Sequence, residues 1–180
     1  GVLELAPKAA GYEAQSMYVL KDRKIRFEKL APPDVKKRYP MYRSGAFKWA
    51  LFHPDGGMIW ASRAVAATAS IAQRKGVKIR NGVRVVSVQK DKTGIKSVKD
   101  ATGKVWEADK FLFAAGYWSN ELLKPWGVPI KITKQEQLFL RPQEGRGRYR
   151  PEHFPVFASQ AAGFYGFPVH IQGFIKIGDH

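Results

Sequence analysis

Five apolar residues in a row, Phe111-Leu112-Phe113-Ala114-Ala115, follow Asp109-Lys110 and run straight into Gly116-Tyr117-Trp118. A short unbroken apolar run between turn signals predicts a strand buried on both faces, as in the parallel sheets of α/β proteins. The run narrows to Ala-Ala-Gly, where bulk is lost and backbone is laid bare. Small residues at the C-terminal end of such a strand let a ligand approach the main chain. Two readings are open here. One is an ordinary tight turn into the helix Ser119-Asn120-Glu121-Leu122-Leu123, and the other is a turn that faces a cofactor.

The surrounding chain supplies partners for that strand. Gly1 to Pro7 has the pattern of a short strand, and Lys8 to Leu20 carries a helical stripe of Ala9, Ala10, Tyr12, Met17 and Leu20. Arg23 to Leu30 alternates as a half-exposed strand. Ala31-Pro32-Pro33-Asp34 marks a helix start, with Asp34 as its cap. Phe47 to Phe52 reads as another strand. The clearest helix is Arg63 to Lys75, with Ser62 as N-cap and Gly76 as C-terminal stop. After it come strands at Val77 to Arg80 and Val83 to Gln89. Ile95 to Lys99 and Lys104 to Glu107 follow as the rest of a three-stranded meander. Beyond Pro125 lie two further strands, Val128 to Ile132 and Glu136 to Leu140. The ending is a hairpin of Phe164 to Pro168 with Gly173 to His180.

The class is therefore α/β (α+β): part of a Rossmann-like domain plus part of an antiparallel sheet. The expected division is residues 1–52 in the sheet domain, 53–124 in the Rossmann-like part (helix, meander, buried strand) and 125–180 in the sheet domain again. A hydrophobic content of 44% is that of a globular chain, and no apolar run approaches the roughly 18 residues of a membrane span. Cysteine is absent, which excludes disulfides and thiolate chemistry and fits a cytoplasmic setting. The four histidines show no metal-binding spacing. No G-x-G-x-x-G follows a strand, so a pyrophosphate-binding loop would have to lie outside these residues.

The net charge of +16 is enough to attract polyanions. The excess clusters at Lys21 to Arg26, at Lys36-Lys37-Arg38 and at Arg146 to Arg150, where arginines flank Tyr149 and could bind phosphates and stack a base. A solvated surface, or a face meeting an acidic partner, is the plainer account, and nucleic acid is the less favoured partner.

Alternation in the last strand puts Phe174, Lys176, Gly178 and His180 on one face, with Ile175 and Ile177 on the other. Lys176 and His180 stand roughly 13 Å apart along the strand. They either face water or flank one ligand. Tyr165, on the opposing arm, reads as a packing residue with a wet hydroxyl.

Four stretches carry a resemblance: Gly1-Val2-Leu3 with Pro7-Lys8; Gly56-Gly57-Met58-Ile59-Trp60; Ala115-Gly116-Tyr117-Trp118-Ser119; and Tyr165-Gly166-Phe167-Pro168 with Ile175-Lys176-Ile177-Gly178-Asp179-His180. Together they resemble the middle of the flavin-dependent amine oxidases of the monomeric sarcosine oxidase, N-methyltryptophan oxidase and fructosyl amino-acid oxidase group. The resemblance implies FAD held between a Rossmann-like domain and an antiparallel substrate sheet. Lys176 would sit beside the flavin and promote its reoxidation by molecular oxygen, with Tyr165 and His180 near the substrate amine and carboxylate. Val85 would contact the adenine through its backbone, and Ala115, Gly116 and Trp118 would form the turn that approaches FAD. The implied substrate is a small amino acid or N-alkyl amine. The implied remainder is missing N- and C-terminal portions of the same protein, so this segment alone is expected to be inactive. The alternative function is a basic α/β module that binds nucleic acid or another polyanion.

Overall fold

The computed structural model describes residues 1–143, 145–170 and 172–179, with residue 146 described by its backbone alone. The chain divides into two units, Gly1–Trp60 with Gln135–His180, and Ala61–Lys134.

In the first unit, the opening strand β1 (Val2–Ala6) pairs antiparallel with β3 (Trp49–His53) and parallel with β8 (Val156–Ser159). The other strands are β2 (Glu28–Leu30), β7 (Gln137–Leu140), β9 (Phe164–Phe167) and β10 (Ile175–Asp179). They join one seven-stranded sheet in the order β2-β3-β1-β8-β9-β10-β7, antiparallel except at β1–β8.

Alternation sorts the sheet residues onto two faces. On one face Leu3, Leu5, Ala50, Phe52, Phe157 and Ile175 form the main core with Val35, Tyr39, Tyr42, Phe47 and Phe154. Each large side chain fully removed from water here contributes about 1.5–3 kcal/mol. On the other face Ala6, Trp49 and Leu51 are covered by Ala14, Met17, Leu20 and Phe27. The first three of those covering residues belong to helix α1 (Tyr12–Asp22). α1 begins later than its apolar stripe predicts because Gly11, at φ 135°, is outside helical space.

Helix α2 (Pro32–Arg38) starts on two prolines, which lack the N–H groups a first turn cannot use, and Asp34 Oδ2 accepts from the Ala31 N–H at 3.3 Å. Its Lys36, Lys37 and Arg38 stand in the last turn, where the helix dipole favours cations. Lys36 Nζ donates to the Pro40 carbonyl at 2.7 Å, and Arg38 bridges Glu28 at 2.8 Å. One of the three basic clusters is thus helix-terminal.

The second unit holds α3 (Ala61–Arg74) and the meander β4 (Val85–Asp91), β5 (Gly94–Asp100) and β6 (Val105–Glu107), followed by α4 (Ser119–Leu123). Gly76 ends α3 at φ 90°, as its position predicts, but Ser62 lies inside the first turn because the helix starts at Ala61, two residues earlier than predicted. Asp100 closes the β5–β6 turn: its Oδ1 accepts from Thr102 N, Thr102 Oγ1 and Lys104 N, and its Oδ2 from Trp106 Nε1.

Three predicted strands are corrected. The run Phe111 to Ala115 is not in either sheet, and Leu112 is 92% exposed. Val77 to Arg80 and Val128 to Ile132 are also without strand pairing. In each case the apolar pattern is present, but no neighbouring strand among the described residues offers its backbone hydrogen bonds. α3 likewise buries none of its residues, and its Val65 and Ile71 are exposed.

Candidate functional site

β9 and β10 pair antiparallel, with Lys176 opposite Phe167 and Gly178 opposite Tyr165. Ile175 is buried in the main core and Ile177 packs against it, so Lys176 and Gly178 must project from the opposite face. There the Lys176 Nζ stands 5.4 Å from the centre of the Phe167 ring and 5.8 Å from that of Tyr165, within the range of cation–π attraction. The two rings meet edge to face at 5.7 Å. Phe139, opposite Lys176 on β7, belongs to the same face and is 54% exposed.

Two glycines make this arrangement possible. A Cβ at Gly178 would lie 2.6 Å from Cζ of Tyr165, so the tyrosine ring occupies the space a side chain would take. On the core side, Phe157 covers Gly166 in the same way. The site is therefore an ammonium fixed between aromatic rings on a half-open apolar surface, with no carboxylate neutralising it among the described residues. Such a group stabilises negative charge that develops beside it.

The same face continues across the sheet. Tyr165 lies opposite Ala158 on β8, and Ala158 lies opposite Glu4 on β1. Burial pushes the Glu4 carboxyl above its ordinary value, and the charge of Glu13 pushes it further. Sequence reading singled out neither acid. The available signal was a charge at the centre of the otherwise apolar Val2-Leu3-Glu4-Leu5-Ala6.

Of the sequence-predicted site residues, Lys176 and Tyr165 are brought together, whereas His180 lies outside the described residues. Val85 opens β4 opposite Asp100 and is half-buried. Gly116, at φ 58°, starts a short 3-10 turn with Tyr117 and Trp118, and nothing lies within 4 Å of where its Cβ would be. Trp118 is 53% exposed and stacks on Tyr117 at 4.0 Å, and its N–H donates to the Ala115 carbonyl at 3.2 Å. The Gly116 backbone is thus bare beside two exposed rings.

The basic stretch from Arg146 to Arg150 gives less to a polyanion than its sequence suggests. The Tyr149 ring packs edge-on against Phe154 at 5.5 Å on the rim of the main core.

The first unit with its mixed seven-stranded sheet, and the second with its three-stranded meander and helices, give an α/β fold. The fold matches the structure of glycine oxidase from Geobacillus kaustophilus with a TM-score of 0.71 at 18% identity, over 100% of this chain and 47% of that one. L-proline dehydrogenase from P. horikoshii matches with a TM-score of 0.74 at 19% identity, over 99% of this chain and 48% of that one. The chain belongs to the FAD dependent oxidoreductase family (DAO), which it matches over residues 1–180. It is 24% identical to monomeric sarcosine oxidase of Bacillus sp. (strain B-0618) over 100% of this chain and 47% of that protein. It is 24% identical over the same shares to N-methyl-L-tryptophan oxidase of Yersinia pestis (strain Pestoides F). The chain spans about half the length of these relatives.

Proposed function

We propose that this chain forms the central part of an oxidase that removes two electrons from the C–N bond of a small primary or secondary amino acid or amine. In balanced form, a CH–NH unit and O₂ give a C=N unit and H₂O₂, and the imine then hydrolyses. The unit Gly1–Trp60 with Gln135–His180 is the substrate sheet, and Ala61–Lys134 belongs to the cofactor domain. FAD, when bound, supplies the hydride acceptor and the route for electrons to oxygen.

The chain's own residues supply geometry and charge. The Lys176 ammonium, held by Phe167 and Tyr165, faces the reacting region and stabilises the negative charge that builds on oxygen as it is reduced. Tyr165 and Phe167 give the ligand an apolar wall, and Tyr165 brings a hydroxyl to it. Val85 would contact the nucleotide through its backbone, Ala115, Gly116 and Trp118 would form the turn that approaches it, and His180 would serve the substrate. The exposed apolar positions Val65, Ile71 and Leu112 are the surfaces that the rest of the protein would cover.

The observation that carries this reading is the fixed ammonium on the open face of the β9–β10 hairpin. The test is the full-length protein. It should purify yellow and release peroxide when given N-methylated amino acids, whereas a colourless protein that forms no peroxide with any amine overturns the reading.

A further inference from the structure

A cavity of about 430 Å³ lies at the turn between β9 and β10, and its walls all belong to the first unit. Met58 and Trp60 reach it from the segment after β3, and Arg150 from the basic loop. Val169, His170 and Gly173 come from the turn itself. Lys176, Tyr165 and Phe167 are not among the walls.

Hydrogen bonds fix the backbone around this space. The Val169 N–H donates to the Tyr149 carbonyl at 2.7 Å and ties the turn to the loop. The Arg150 carbonyl accepts from the His153 and Phe154 N–H groups at 2.9 and 2.8 Å. Gly173, at φ 79°, closes the turn by donating to the His170 carbonyl at 2.8 Å.

The lining has two kinds of chemistry. The Trp60 indole meets the His170 ring edge to face at 5.5 Å, and with the half-buried Met58 and Val169 it gives a surface suited to a flat apolar ring. Two donors interrupt that surface. The Gln172 N–H donates to His170 Nδ1 at 3.0 Å, so Nδ1 holds a lone pair and the ring proton is on Nε2. Neither that N–H nor the Arg150 guanidinium has an acceptor among the described residues, and no acid lines the cavity. An apolar hollow of this size with a few polar groups is the usual form of a small-molecule site. A guanidinium fork beside an imidazole N–H matches the two oxygens of a carboxylate, and one cation balances one negative charge.

We propose that this cavity is a second ligand site, separate from the face of Lys176, and that it takes an aromatic carboxylate. The ring lies against Trp60, Met58 and Val169, and the carboxylate accepts from Arg150 and from His170 Nε2. The site does not depend on the oxidase reading.

The test is calorimetric titration of the full-length protein with 2-naphthylacetate, 2-naphthylacetamide and acetate. The amide keeps the ring without the charge, and acetate keeps the charge without the ring. 2-Naphthylacetate should bind about tenfold tighter or more than either, the scale of one charge-assisted contact. Arg150→Gln should bring it down to the level of the amide. His170→Phe keeps a ring against Trp60 but removes the donor, and should weaken the acid severalfold without changing the amide. Arg150 is exposed and His170 only half-buried, so both variants should unfold at the temperature of the wild type. Failure of the acid to bind overturns the proposal, as does equal binding of acid and amide. Binding undiminished in Arg150→Gln also overturns it, and its loss in Lys176→Met would then place the acid at the other face.

Discussion

Gly178 lies directly beneath the ring of Tyr165, with room for a hydrogen atom and none for a methyl group. That contact sets the tilt of the ring, and the ring in turn stands 5.8 Å from the Lys176 ammonium. A residue with no side chain thus decides where a cation is held.

Gly178→Ala is expected to cost about 1–3 kcal/mol, the usual range for overpacking a filled site. Tyr165→Phe should give only partial relief, because it removes the hydroxyl contact at 2.7 Å but leaves Cζ at 2.6 Å. Tyr165→Ala should relieve most of it. Chemical denaturation of the four proteins as a double-mutant cycle measures the coupling, and additive effects would show that the ring does not rest on Gly178.

Lys176→Met keeps the length of the side chain and its contact with Phe167 but removes the charge. In the full-length protein, reoxidation of the reduced flavin by O₂ should slow by about 10²–10³-fold, the scale of losing one preorganised charge-stabilising group. Anaerobic reduction by the amine should change little. Stopped-flow absorbance separates the two half-reactions, and unchanged reoxidation removes Lys176 from this role.

The hairpin that carries Lys176 was legible in the sequence because its alternation is strict. Ile175 and Ile177 announce one face, and Lys176 and Gly178 the other. The meander was legible through its turn residues. Phe111 to Ala115 was not, since an apolar run reports that a strand wants neighbours and does not report that neighbours are present. Glu13 was missed for a different reason. In a helix's first turn an acid reads as a dipole-matched surface residue, and only the packing of α1 on β1 and β3 buries it.

Asp100 gives the meander a pH dependence of known sign. Its hydrogen bonds from the Thr102 hydroxyl, then from the Trp106 indole and the Thr102 and Lys104 amides, hold its pKa down to about 2. A carboxyl lowered in the folded state contributes stability above its unfolded value of about 3.9 and loses it as the pH falls toward the folded value. Trp106 fluorescence should therefore report loosening of the β5–β6 turn between about pH 4 and pH 2. Asp100→Ala leaves four donors without their acceptor and should loosen the turn already at neutral pH, with the acid transition gone. An acid transition that persists in the variant would assign it to another carboxylate.

Leu3 and Leu112 are the same residue type in opposite circumstances, 0% and 92% exposed. Leu3→Ala opens the main core and should destabilise the first unit by about 2–5 kcal/mol. Leu112→Ala removes a side chain that touches little in these 180 residues, so in this chain it should change stability by less than about 0.5 kcal/mol. In the full-length protein the two should converge. If the remaining half supplies neighbouring strands for Phe111 to Ala115, Leu112 becomes a core residue and its loss should also cost about 2–5 kcal/mol. Thermal and urea unfolding of both variants in both contexts make the comparison. An equally small effect of Leu112→Ala in the full-length protein would mean that the run stays uncovered, and the two-sided burial its sequence predicts would have no place in the fold.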